Sequence, residues 1–161
     1  MSHTASVLFV CLGNICRSPL AEAAFRAAAD DAGLAVHVDS VGTAGYHVGE
    51  PPDPRSIRTA AARGIDITHY RGRQLQESDF REFTHIFAMD RDNLRNIKAR
   101  APDDAIAEIS LLLDLLPDRE GDEVGDPYYG GDDGFDRTWA EVSEAADALI
   151  AKLTGYPRQS G

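Results

Sequence analysis

At 161 residues the chain suits one domain, long enough to bury an ordinary hydrophobic core without disulfide or metal staples. Apolar residues make up 43% and charged residues 27%, a globular composition that excludes a disordered chain. Lys and Arg number 16 against 27 Asp and Glu, a net charge of −11 that argues against nucleic acid or an anionic membrane as main partner. Any anion the protein binds must therefore meet a local concentration of donors. Two cysteines, Cys11 and Cys16, are too few for a secreted disulfide framework or a four-cysteine zinc site. The first residues carry no basic region, and the apolar stretch after them is short. Neither a signal peptide nor a membrane span is expected, and the expected location is the cytoplasm.

Residues 7–10, Val-Leu-Phe-Val, read as a strand covered on both faces. They run into Cys-Leu-Gly-Asn-Ile-Cys-Arg-Ser-Pro at 11–19, in which Ser18 reads as an N-cap and Pro19 as a first helical residue. An Ala-rich helix over 20–32 follows, stopped by Gly33. Residues 36–40 alternate as a second strand, and 42–53 form a Gly- and Pro-rich loop. Asp53 caps a helix over 54–63 that Gly64 stops. Residues 78–83 suggest one helical turn and 84–89 a third strand. Asp90 caps a helix to about residue 99, and 106–109 give a fourth strand. An acidic loop with two tyrosines spans 114–134, and an amphipathic helix over 135–153 closes the chain. The predicted fold is a single α/β domain over 1–161 with a frayed tail at about 156–161. Its four-stranded parallel sheet carries helices on both faces through right-handed crossovers. Ligands of such folds sit beyond the carboxyl ends of the strands, so the loop after the first strand is where chemistry is expected.

Five residues separate Cys11 from Arg17, and the loop between them ends at a helix N-terminus. Free backbone N–H groups at such a terminus cradle a phosphate, and Gly13 and Asn14 tolerate the backbone angles a cradle requires. Arg17 adds a planar fork for two phosphate oxygens, and the same field favours the thiolate form of Cys11. Spacing alone would also fit a small buried cysteine and a surface arginine. The strand before, the helix after, and Gly and Asn inside favour the phosphate loop. His3, His37, His47 and His85 form no metal-ligand spacing, so no metal and no organic cofactor is expected.

Residues 7–19 resemble the signature of low-molecular-weight protein tyrosine phosphatases, and the resemblance extends over nearly the whole chain. Matching stretches are Asp39-Ser40, Tyr46-His47-Val48-Gly49, Pro52-Asp53-Pro54-Arg55, Met89-Asp90 with Asn93-Leu94, and Asp126-Pro127-Tyr128-Tyr129-Gly130. The resemblance implies that Cys11 attacks phosphorus to form a cysteinyl-phosphate and that Arg17 binds the phosphoryl oxygens. It implies that Asp126 protonates the departing tyrosine oxygen and later activates water. Leu12, Gly13, Asn14, Ile15, Cys16 and Ser18 would bind phosphate or steady the thiolate, and Tyr46, Tyr128 and Tyr129 would line the walls around the substrate ring. Asn14, Ser40 and His69 match positions that brace the loop. Without the resemblance, Asp126 is one carboxylate among Asp118, Glu120, Asp122, Glu123, Asp132, Asp133 and Asp136 in a solvated run. The implied partners are phosphotyrosine-containing proteins and a tyrosine kinase, with inorganic phosphate as product and a monomeric enzyme. Two other functions fit the loop. Arsenate reduction would need cysteines outside it, and a non-catalytic phosphate binder would leave Cys11 and Asp126 idle.

Overall fold

The computed structural model describes residues 5–127 and 132–154. Tyr128, Tyr129 and the tail at about 156–161 lie outside the described residues. Four parallel strands, β1 (Ser6–Cys11), β2 (His37–Gly42), β3 (His85–Ala88) and β4 (Glu108–Leu111), pair in the order β2-β1-β3-β4. The helices are α1 (Arg17–Asp31), α2 (Pro54–Ala61), α3 (Asp79–Glu82), α4 (Arg91–Arg100) and α5 (Asp132–Thr154).

Side-chain parity along the central strand divides the core in two. Val7, Phe9 and Cys11 join Phe87 and pack against α1, α2 and α5 through Leu20, Phe25, Ala60, Phe135 and Leu149. Leu8 and Val10 join Ile86 and Ala88 on the opposite face against Phe80 of α3 and Ile97 of α4. The expected parallel sheet with helices on both faces is the one observed. None of the helices among the described residues is long and apolar enough to cross a membrane.

Several boundaries differ from the sequence expectation. Helix α1 begins at Arg17, with Cys16 in the cap position and no side-chain cap bond, so Ser18 is inside the first turn. Its hydroxyl is committed elsewhere, toward Cys11 and Asn14. Gly33 ends α1 as expected, at φ +66°, a conformation glycine adopts without strain. Asp53 and Asp90 do cap their helices, accepting from Arg55 N and Asn93 N. The fourth strand lies two residues later than read. Ile106 is exposed, and its N–H donates to Phe80 O in the connection instead of to β3. A 3₁₀ turn at Leu112–Leu115, unanticipated, buries Leu112 and Leu113 behind the sheet. Helix α5 starts three residues earlier than expected.

Candidate active site

Strand β1 delivers Cys11 to the carboxyl edge of the sheet, where loop 12–16 turns into α1. Asn14 takes φ +60°, a left-handed angle that Asn tolerates better than most residues, and this bends the loop. The loop borders a cleft of about 210 Å³ lined by Cys11, Leu12, Gly13, Ile15, Cys16, Arg17, Tyr46, His47 and Asp126. All the expected pocket residues among the described positions therefore converge, with Asn14, Ser18 and Ser40 behind the loop. Gly42 is required here, since a methyl group on it would meet Leu12 O at 2.7 Å.

Cys11 is 3% exposed, and its sulfur lies 3.1 Å from Ser18 Oγ. Asn14 Nδ2 donates to Ser18 Oγ at 2.8 Å and to Ser40 Oγ at 3.1 Å, and Ser40 Oγ donates to Glu22 Oε1 at 2.8 Å. Glu22 is a buried carboxylate whose second oxygen accepts from Arg26 Nε at 2.8 Å. Burial pushes its carboxyl above the ordinary range, and the bonds from Ser40 and Arg26 only partly offset this.

Arg17, buried like the cysteine, donates through Nη1 to Asp90 Oδ2 at 2.8 Å and to Val124 O at 2.9 Å. Its Nη2 approaches Asp126 Oδ2 at 3.8 Å. Burial works against the guanidinium charge, but the Cys11 sulfur, Asp90 and Asp126 outweigh it and hold Arg17 above its ordinary value. One nitrogen is thus pinned to the scaffold while the other faces the cleft and the carboxylate beyond it. Asp126 rides on a segment anchored by Val124, whose N–H donates to Met89 O at 2.8 Å. Tyr46 stands 74% exposed at the rim, edge-on to His47, which pairs with Glu50 at 2.8 Å.

Cys16 is a different kind of thiol from its neighbour. Burial, then the charges of Asp53, Cys11 and Asp126, push it up to about 12 against the opposing Arg55. It is held as a neutral thiol in the wall of the cleft.

Among the described residues, His69 is not joined to the loop by a hydrogen bond. It is exposed, with its ring edge-on to Tyr70 at 4.9 Å. The backbone N–H of Arg73 reaches Asn14 Oδ1 instead, at 3.0 Å. Sequence reasoning missed Arg73, Glu22 and Val124. Glu22 left a signal, as the one carboxylate in the otherwise apolar run 20–25. Arg73 and Val124 left none, because they act through backbone groups.

The comparisons with known proteins agree with this geometry. The family model described as low molecular weight phosphotyrosine protein phosphatase matches residues 6–157. A Schizosaccharomyces pombe protein named low molecular weight phosphotyrosine protein phosphatase is 47% identical over 156 residues, covering 95% of this chain and 99% of its own. The crystal structure of a protein tyrosine phosphatase from Entamoeba histolytica with Hepes in the active site matches with TM-score 0.88 at 38% identity, over 94% of this chain and 98% of that one. The crystal structure of YfkJ from Bacillus subtilis matches with TM-score 0.88 at 36% identity, over 96% and 97% of the two chains. A match of this extent covers the loop after β1, the sheet that carries it and the helices behind it, and the chain belongs to the low molecular weight phosphotyrosine protein phosphatase family.

Proposed function

We propose that the protein hydrolyses phosphotyrosine on other proteins through a cysteinyl-phosphate on Cys11. The observation that carries this is the convergence, across one small cleft, of the Cys11 sulfur, the Arg17 guanidinium and the Asp126 carboxyl. The names of the relatives support the substrate class. In the first step Cys11 Sγ attacks phosphorus as a thiolate, the S–P bond forms and the P–O(aryl) bond breaks. The phenolate oxygen takes its proton from Asp126, an assistance it needs because a phenol has a pKa of roughly 10. Arg17 and the free N–H groups of loop 12–16 and the α1 terminus hold the equatorial oxygens as charge redistributes. In the second step water attacks phosphorus and gives a proton to Asp126. The S–P bond then breaks, releasing inorganic phosphate and the thiolate.

The same reading makes residues 1–161 one catalytic domain, acting as a monomer on substrates supplied by a tyrosine kinase. Tyr128 and Tyr129 join Tyr46 as walls for the ring. Two free buried thiols in one cleft suit the reducing cytoplasm.

The test compares phosphotyrosine, phosphoserine and phosphothreonine peptides, with thiol-dependent arsenate reduction as control. Cys11→Ser should abolish turnover while retaining phosphate binding. Asp126→Ala should lower kcat on phosphotyrosine by about 10²–10⁴-fold, with a smaller deficit on p-nitrophenyl phosphate, whose leaving group needs less protonation. Equal deficits on both substrates would show that Asp126 is not the proton donor. A preference for phosphoserine, or arsenate turnover alone, would overturn the function.

A further inference from the structure

The direction of every hydrogen bond behind Cys11 can be traced from one end. A backbone N–H only donates, and that of Arg73 meets Asn14 Oδ1 at 3.0 Å. The Asn14 amide nitrogen must therefore face the two hydroxyls, and both accept from it. Ser40 sends its own hydrogen to Glu22. Ser18 is left with a hydrogen for Cys11 Sγ at 3.1 Å, the alternative acceptor, Val41 O, being farther at 3.4 Å. Were the amide turned over, Oδ1 would draw the Ser18 hydrogen to itself and leave the sulfur facing a lone pair.

The Arg73 backbone is held in place by its own side chain. Both terminal guanidinium nitrogens clasp Asp79, at 3.0 and 2.8 Å, and Nε bonds Asp39 at 2.9 Å. Asp79 begins α3, is 2% exposed and also accepts from Gln76 N at 2.8 Å. Asp39 lies in β2 next to Ser40, and the Arg73 carbonyl accepts from Gly42 N at 2.9 Å at the end of the same strand. One side chain thus locks β2 and α3 around the point where the N–H meets the loop.

We propose that Arg73 is a positioning residue for the nucleophile: its clasp on Asp79 and Asp39 fixes its N–H against Asn14 and thereby keeps Ser18 donating to the Cys11 sulfur. This rests on the reading of Cys11 as nucleophile. A sulfur that accepts a hydrogen bond is favoured as thiolate, and the same bond steadies it as it leaves phosphorus.

The test uses two variants. Arg73→Lys keeps the charge but loses the fork. Arg73→Met with Asp79→Asn removes the clasp without leaving a buried carboxylate unpaired, so the fold is protected. Each is made with Ser18 intact and with Ser18→Ala. The readouts are kcat and KM on p-nitrophenyl phosphate, and the rate of iodoacetate alkylation of Cys11, located by tandem mass spectrometry. With Ser18 intact, kcat and alkylation should each fall about tenfold, as for residues sharing one hydrogen-bond network. KM should stay within about twofold, because the phosphate contacts remain. With Ser18→Ala the same substitutions should change either rate by less than about twofold. Equal factors in both backgrounds, or a lowered melting temperature with kcat and alkylation unchanged, would overturn the proposal. An inactive wild type that still shows the alkylation pattern would refute the phosphatase reading and uphold the role of Arg73.

Discussion

Replacing Asp90 by alanine removes two supports at once, and an asparagine at the same place separates them. One carboxylate oxygen accepts from Asn93 N at 2.7 Å and caps α4, while the other accepts from Arg17 Nη1 at 2.8 Å. Losing the cap costs about 1 kcal/mol. Leaving a buried charge without its partner costs about 3–5 kcal/mol, and the lower end applies because Asp90 is 21% exposed and Asp126 remains near Arg17. Asp90→Ala should therefore lose about 4 kcal/mol, a shift in urea midpoint of about 2 M at a slope of about 2 kcal/mol per M. Asparagine keeps the cap and a neutral acceptor, so Asp90→Asn should lose only about 1–2 kcal/mol. In both variants Arg17 is less firmly aimed, and kcat/KM on an aryl phosphate should fall about tenfold or more, with alanine the worse. Urea melts and steady-state kinetics on the same preparations decide it. If alanine costs only about 1 kcal/mol and asparagine almost nothing, the cap accounts for the whole loss, the pair with Arg17 contributes nothing and the reasoning fails.

A sulfenic acid formed on Cys11 by mild peroxide should condense with the Cys16 thiol, releasing water and giving a disulfide that dithiothreitol reverses. Because Cys16 is held up to about 12, its thiolate fraction, and hence the condensation rate, should rise about tenfold per pH unit between pH 6 and 8. Intact-mass timing of the two-hydrogen loss checks this, and a flat rate would refute it. Gly42→Ala should force the new methyl against Leu12 O, costing about 1–3 kcal/mol as an overpacked site and displacing the phosphate loop. A melt together with kcat/KM tests it, and unchanged kinetics would show that the loop yields freely.

The candidate loop was legible because its parts are contiguous: strand, Gly13-Asn14, Cys11 and Arg17 all fall within residues 7–19. The sheet was legible because its strands are short apolar or alternating segments between helices. What remained hidden depends on distant partners. Asp126 was indistinguishable from its neighbours until the fold showed where they go. Asp122 turns to Arg119, Glu123 accepts from Arg91 N and Asp136 pairs with Arg63, while Asp126 faces Arg17. Ser18 read as a cap because Ser before Pro usually is one, and only the position of Cys11 reveals the competing use of its hydroxyl. The shifted β4 has a similar cause. Ile106 has strand propensity, but its N–H is taken by Phe80 O before the chain reaches β3.

Strand β1 is paired on both sides, and its alternate residues serve two separate cores. Cys11 shares parity with Val7 and Phe9, so its orientation is counted out from the start of the strand. Substitutions within β1 change volume, but a single inserted or deleted residue inverts the count. Such a change would exchange the two half-cores and turn Cys11 from the face of α1 toward that of α4. Paired on both sides, β1 itself has no free edge where a bulge could absorb the slip. The six-residue span of β1 therefore acts as a ruler for Cys11, tolerant of changes in composition but not of changes in length.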